Sequence, residues 1–99
     1  MREAKYRISQ QAIEDLDHIW LYTFHKWSKE QADTYYKLLI DRIEFIADNF
    51  MTGKSVGHLR KNYRVSLIES HVIFYRKNDT NTVEIVRILH QRMNVKDRI

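Results

Sequence analysis

Arg64, Arg76, Arg87 and Arg92, with His90 among them, are the side chains of this 99-residue chain best suited to chemistry on a phosphate. Cutting RNA would take a base to activate a 2′-hydroxyl, cations around the crowded phosphate and an acid for the leaving oxygen. The arginines could supply the cations, and His90, with a free pKa near neutrality, could act as acid or base. Spacing argues against a joint site. On a regular strand Arg87 and His90, three apart, face opposite sides, so they do not grip one phosphate without a bulge. Glu69 falls in a predicted turn and Glu84 near a strand start, and neither has an evident partner. The competing reading makes His90 a strand-end imidazole bonded to backbone, and the arginines solvated faces, partners of acidic helices or a target-binding surface.

Metal chemistry finds little support. The histidines at 18, 25, 58, 71 and 90 are scattered, cysteine is absent, and no His-x-x-x-His or His-Glu-x-x-His spacing occurs. Nothing in the pattern calls for a cofactor. The aromatics could be a base-stacking set, but Trp20, Trp27 and Tyr36 fall on helical stripes and are expected in the core.

The elements that would carry these residues can be read from periodicity. Ala4 to Ile8 alternates polar and apolar residues, which suits a short strand. Ser9 is placed to cap the helix that follows, in which Ile13, Leu16, Trp20, Phe24 and Trp27 form one stripe. Ser28-Lys29-Glu30-Gln31 is a capping box that opens a second helix, with Ala32, Tyr36, Leu39, Ile43, Ile46, Ala47 and Phe50 as its stripe. The pair reads as an antiparallel hairpin. Leu21 and Tyr22 lie off the first stripe, and Leu38 and Phe45, seven apart, lie on the outer side of the second. Such a row is either covered by a partner or is the second buried arc of a hairpin helix. A basic loop from Thr52 to Asn62 follows. Three strands separated by short polar turns then form an antiparallel meander, and Asn94 to Ile99 reads as a polar tail.

One domain over residues 1–99 is all that this length allows. Without cysteine, and with no run near the roughly 20 apolar residues of a membrane span, a soluble cytoplasmic protein is the simplest expectation. The net charge of +4 conceals an asymmetry: residues 1–52 hold 7 Lys/Arg against 9 Asp/Glu, whereas residues 53–99 hold 10 against 4. The basic half favours nucleic acid or an acidic protein as a partner.

Several stretches together carry a family resemblance. They are Ser9 and Ala12 with Asp15-Leu16 and Ile19, Trp27-Ser28 with Gln31-Ala32 and Tyr35, Gly53-Lys54-Ser55, and Tyr63-Arg64. The most specific are His71-Val72-Ile73-Phe74-Tyr75-Arg76 and Arg87-Ile88-Leu89-His90-Gln91-Arg92-Met93-Asn94. On these the chain resembles the ParE toxins of type II toxin-antitoxin modules, within the RelE/ParE superfamily, although the proline common ahead of Gly53 is missing. The resemblance implies an α+β fold of order β-α-α-β-β-β, with a helical hairpin packed on a small antiparallel sheet. It also implies a toxin that inhibits DNA gyrase by binding, neutralised by a ParD-like ribbon-helix-helix antitoxin, with direct nucleic-acid binding possible but not required. Antitoxin contact is expected at Leu21, Tyr22, Leu38 and Phe45, and target contact at Arg64, Arg87, His90, Arg92 and Met93. The alternative is a ribosome-dependent mRNA endonuclease of the RelE type, using Arg64, His90 and Arg92.

Overall fold

The computed structural model describes residues 5–93 and 97–99. Strand β1 (Tyr6–Ile8) leads into helix α1 (Gln10–Lys26), then α2 (Lys29–Asp48) and a 3-10 turn at Phe50–Thr52. Four strands follow: β2 (Lys54–Ser55), β3 (Arg64–Ile68), β4 (His71–Lys77) and β5 (Val83–His90). The two helices pack on one sheet of order β1-β5-β4-β3-β2. Residues 94–96 of the expected tail, and Ala4 of the expected first strand, lie outside the described residues. Of the tail's end, the Arg98 carbonyl accepts from Arg87 and Ile99 packs on a core cluster, so that part folds back on the domain.

The meander β3-β4-β5 is antiparallel as anticipated, but the sheet is mixed, because β1 lies parallel to β5 with Tyr6 opposite Val83. A three-residue strand carries no signal of its own polarity; the return path of the hairpin sets it. The loop also contributes an edge strand, β2, paired with the start of β3. Both predicted caps form, with the Ser9 and Ser28 hydroxyls accepting from Ala12 N–H and Gln31 N–H at 3.0 Å each.

The core stripe of α2 falls within the one read in the sequence, whereas that of α1 keeps Leu16 but turns toward Ala12. The residues of α1 that bury fully are Ala12 and Leu16, while Trp27 is 68% exposed and Ile13 and Phe24 are also exposed. The small Ala12 lets α1 approach β5 with Leu16 filling the space beside it, and the large aromatics turn toward α2 and solvent. Trp20 stacks on Phe24 at 5.3 Å and donates through Nε1 to Asp33 of α2 at 2.9 Å. In α2 the core line is Ala32, Leu39, Ile43 and Ile46, with Tyr36 exposed.

Strand β4 is buried on both faces. Ile73 and Tyr75 point into the main core with Leu16, Leu39, Ile43, Ile85 and Ile88, while Val72 and Phe74 point into a second cluster with Val56, Val65 and Leu89. The fully buried large side chains of these clusters each contribute on the order of 2 kcal/mol. Tyr75 donates from its hydroxyl to the Phe50 carbonyl at 2.8 Å and so fastens the end of α2 to the sheet.

Gly53 makes room for that hydroxyl. Its φ of −71° suits any residue, but a Cβ there would sit 1.9 Å from Tyr75 Oη. Gly53→Ala should therefore destabilise the protein by about 1–3 kcal/mol in denaturant unfolding, through steric overpacking rather than backbone strain. Gly57→Ala, whose added Cβ would meet only Ser55 Oγ at 3.7 Å, provides the comparison and should cost less.

Candidate functional site: an apolar groove beside a histidine pair

Strand β5 decides where the candidate residues end up. Its pairing with β4 runs from Lys77 opposite Val83 to Tyr75 opposite Ile85, then skips Val86, so that Phe74 faces Arg87 and His71 faces His90. The bulge sets Ile85 and Ile88 on the same face although they are three apart. Ser9 fixes it: its N–H donates to the Ile85 carbonyl at 2.9 Å and its hydroxyl to the Val86 carbonyl at 2.7 Å. Because the bulge lies before Arg87, Arg87 and His90 still differ in parity, as the regular-strand argument held.

Arg87 is taken up by the fold. Its Nε and Nη2 donate to the two carboxylate oxygens of Asp15 on α1, each at 2.9 Å, and its Nη1 donates to the Arg98 carbonyl. The same carboxylate accepts the Ile88 N–H at 2.9 Å. Beyond the end of the short β1, Asp15 thus satisfies a strand donor that has no neighbouring strand. The bidentate bond holds the Arg87 pKa above its ordinary value.

Arg64 lies at the other end of the sheet. It pairs with Tyr75, four positions along β4 from His71, which is about 13 Å along the strand from the His71–His90 pair. Its guanidinium donates to the Gly53 carbonyl. Arg92 is exposed in the turn after β5, and its backbone N–H donates to His90 Nδ1 at 3.1 Å, which leaves the proton of a neutral His90 on Nε2. Arg64 is therefore not brought to His90 and Arg92, and the three do not surround a common point.

What β5 does assemble is a cluster that sequence reasoning missed. His71 and His90 meet edge to face at 5.3 Å, and His71 Nδ1 lies 2.6 Å from the Tyr35 hydroxyl of α2. Burial raises the Tyr35 pKa, so its O–H is the donor and His71 Nδ1 the acceptor. Burial, reinforced by the charge of His90, lowers the pKa of His71 to about 4. His71 is thus a neutral, packed side chain at pH 7. The cross-strand register that would have revealed the pair depends on the Val86 bulge, which no glycine marks.

A stability measurement checks this cluster. The unfolded chain binds a proton at His71 near pH 6.5, whereas the folded protein resists it down to about pH 4. Stability is therefore lost as pH falls through that window. Discounted for partial exposure, the loss is about 2 kcal/mol between pH 7 and 4.5 beyond that of His71→Phe, measured by denaturant unfolding. An equal loss in both proteins would contradict the assignment.

The histidines floor one end of a continuous groove. A cavity of about 340 Å³ beside His18 and Ile19 shares Tyr22, His71 and His90 with a second of about 430 Å³ that reaches Trp27, Tyr35 and Leu38. Leu38 and Asp41 then link onward to a cavity lined by Phe45 and Ile68. The groove brings together Tyr22, Leu38, Phe45, His90 and Met93 of the sequence-based candidates, and adds Trp27, Tyr35 and His71. Leu21, Arg64, Arg87 and Arg92 are not among its lining residues. Its apolar side chains stand open to solvent: Tyr22 is 63% exposed, Phe45 50% and Leu38 40%. Among the described residues, no cluster of three potential metal ligands occurs.

Comparison with known proteins agrees with this architecture. A family model described as the ParE toxin of type II toxin-antitoxin system, parDE, matches residues 6–95. Toxin ParE1 of Caulobacter vibrioides is 44% identical over 91 residues, covering 92% of this chain and 93% of that protein. Toxin ParE1 of Mycobacterium tuberculosis is 36% identical over 92 residues, covering 93% and 94%. Among solved structures, a chain of the chromosomal ParDE TA system from P. aeruginosa superposes with a TM-score of 0.76, covering 86% of this chain and 92% of that one at 16% identity; that likeness speaks to the fold. With its helical hairpin on a mixed sheet and the family match over nearly its whole length, the chain belongs to the ParE toxin family of type II toxin-antitoxin systems.

Proposed function

We propose that this toxin is held inactive by a ParD-like ribbon-helix-helix antitoxin whose C-terminal segment lies in the groove, and that the freed toxin inhibits DNA gyrase in the cytoplasm by binding. The observation that carries the antitoxin half is the continuity of the groove from Met93 and Tyr22 through Leu38 to Phe45. An extended or helical peptide laid there would bury solvent-exposed apolar side chains that the toxin alone leaves open. The ParDE system of the solved neighbour favours a ParD-like partner. The gyrase half rests on family membership, and binding rather than turnover is favoured by the distance of Arg64 from His90 and by the commitment of Arg87 to Asp15.

Expression of the chain alone in a bacterial host should arrest growth, with DNA synthesis failing before protein synthesis, and co-expression of the cognate antitoxin should restore both. Protein synthesis failing first, with cuts in translated mRNA, would instead support the endonuclease reading.

A further inference from the structure

A second concavity, at the opposite end of the sheet from the groove, has a different character. It encloses about 480 Å³ between Phe50, Ser55, Lys61, Tyr63, Arg64 and Lys77. Arg64 opposes Tyr75 and Lys77 opposes Val83, whereas His71 and His90 close the other end of the same strands. No lining residue is acidic, and the adjoining loop adds Lys54, His58 and Arg60 without a single Asp or Glu between positions 53 and 64. Among the described residues, no side-chain carboxylate lies within ion-pair distance of Lys54, Lys61, Arg64 or Lys77.

The cations are held in place by neutral groups instead. Lys77 Nζ stands 4.7 Å from the Phe50 ring centroid and Arg64 Cζ 5.6 Å from the same ring. The Gly53 carbonyl fixes the Arg64 guanidinium further. Phe50 and Gly53 thus gather positive charge at one cavity without neutralising it, and an anion entering would find its counter-charges already positioned. Tyr63, half-buried in the same wall against the second core cluster and with Arg60 Cζ 5.8 Å from its ring centroid, adds an aromatic and guanidinium surface for a base to stack on.

We propose that this cavity binds the phosphate backbone of a single nucleic-acid strand, through Lys61, Arg64 and Lys77, with a base against Tyr63. An acidic peptide would engage the same cations but gain nothing from the aromatic wall. The site is separate from the antitoxin groove and does not rest on it.

The test is fluorescence anisotropy of the intact toxin with labelled single-stranded DNA and RNA oligonucleotides over a salt series. The controls are the variants Lys61→Gln, Lys77→Gln and their double. Both lysines are exposed, so the variants should stay folded, with Lys61→Gln at the wild-type melting temperature and Lys77→Gln a few degrees below it at most, through loss of the contact with the Phe50 ring. Binding should weaken on the order of tenfold in the double variant at low salt, and the slope of log K against log salt should fall by about 0.7 for each lysine removed. Tyr63→Leu should weaken binding without changing the slope. Tighter binding of DNA or of RNA identifies the source of the strand, and either supports the site. No binding, binding indifferent to both lysines, or displacement by polyglutamate as effective as by oligonucleotide would overturn it.

Discussion

Asp15→Ala should lower the stability of this protein by about 3 kcal/mol or more, a shift of roughly 12–24 °C in melting temperature for a domain of this size. The substitution removes three contacts at once: two charge-assisted bonds from Arg87 and the bond from the Ile88 N–H, each at 2.9 Å. The pair is shielded, with side-chain exposures of 15% and 11%, so the stranded guanidinium and strand amide are poorly compensated by water. Asp15→Asn, which keeps an acceptor for Ile88 but loses the charge, should fall between. Because the cost comes from leaving one partner behind, the double change Asp15→Ala, Arg87→Met should recover part of it. A double variant whose loss equals the sum of the Asp15→Ala and Arg87→Met losses would show that the residues do not act together, and an Asp15→Ala loss below about 0.5 kcal/mol would place Arg87 back among the free surface cations.

The second large effect is expected on binding. Leu38 lines three of the linked cavities and stands at the middle of the groove. Leu38→Glu should weaken the antitoxin complex at least 100-fold, about 2.7 kcal/mol, since a charge buried against an apolar partner segment loses its hydration without gaining a counter-ion. It should lower the melting temperature by only a few degrees, because Leu38 is already 40% exposed in the free protein. Two further variants locate the effect. Leu21→Glu alters an exposed α1 residue outside the groove, and Leu67→Glu alters a side chain that is 69% exposed on β3. Both should leave affinity within a few-fold of wild type. An equal loss from Leu21→Glu and Leu38→Glu would move the interface to the outer face of α1.

Much of this architecture was legible in the chain, for local reasons. Ser9 and Ser28 announce two helix starts because capping is a contact within three residues, and the meander shows itself because β-branched runs alternate with polar turns. Two of those turns include a non-glycine residue at positive φ, Glu69 at 51° and Asn81 at 63°; Asn81 belongs to a residue type that tolerates it. Tyr22, Leu38 and Phe45 were recognisable as a row left over after the core stripes. Other features depend on contacts remote in sequence. The Asp15–Arg87 pair spans 72 positions and had no local mark. The stripe of α1 is only partly legible because Trp20, Phe24 and Trp27 dominate its periodicity, whereas close approach to β5 buries Ala12 beside Leu16. His71, Tyr35 and Trp27 entered the groove unnoticed, since their meeting requires both the bulge at Val86 and the seating of α2 on the sheet.

The bulge also decides what His90 faces. His90 and Arg92 lie in a stretch that carries the sequence resemblance, yet His90 lies on the groove floor beside His71, and its Nδ1 accepts from the Arg92 amide. A side chain can identify a family without performing a reaction, and here the arrangement favours a surface that binds.

Supercoiling of relaxed plasmid by purified DNA gyrase, with the toxin added over a range up to large molar excess, tests that account most directly. The toxin should suppress supercoiling or trap cleaved plasmid at concentrations comparable with the enzyme, and equimolar antitoxin should abolish the effect. Undiminished supercoiling at large excess of folded toxin would contradict it.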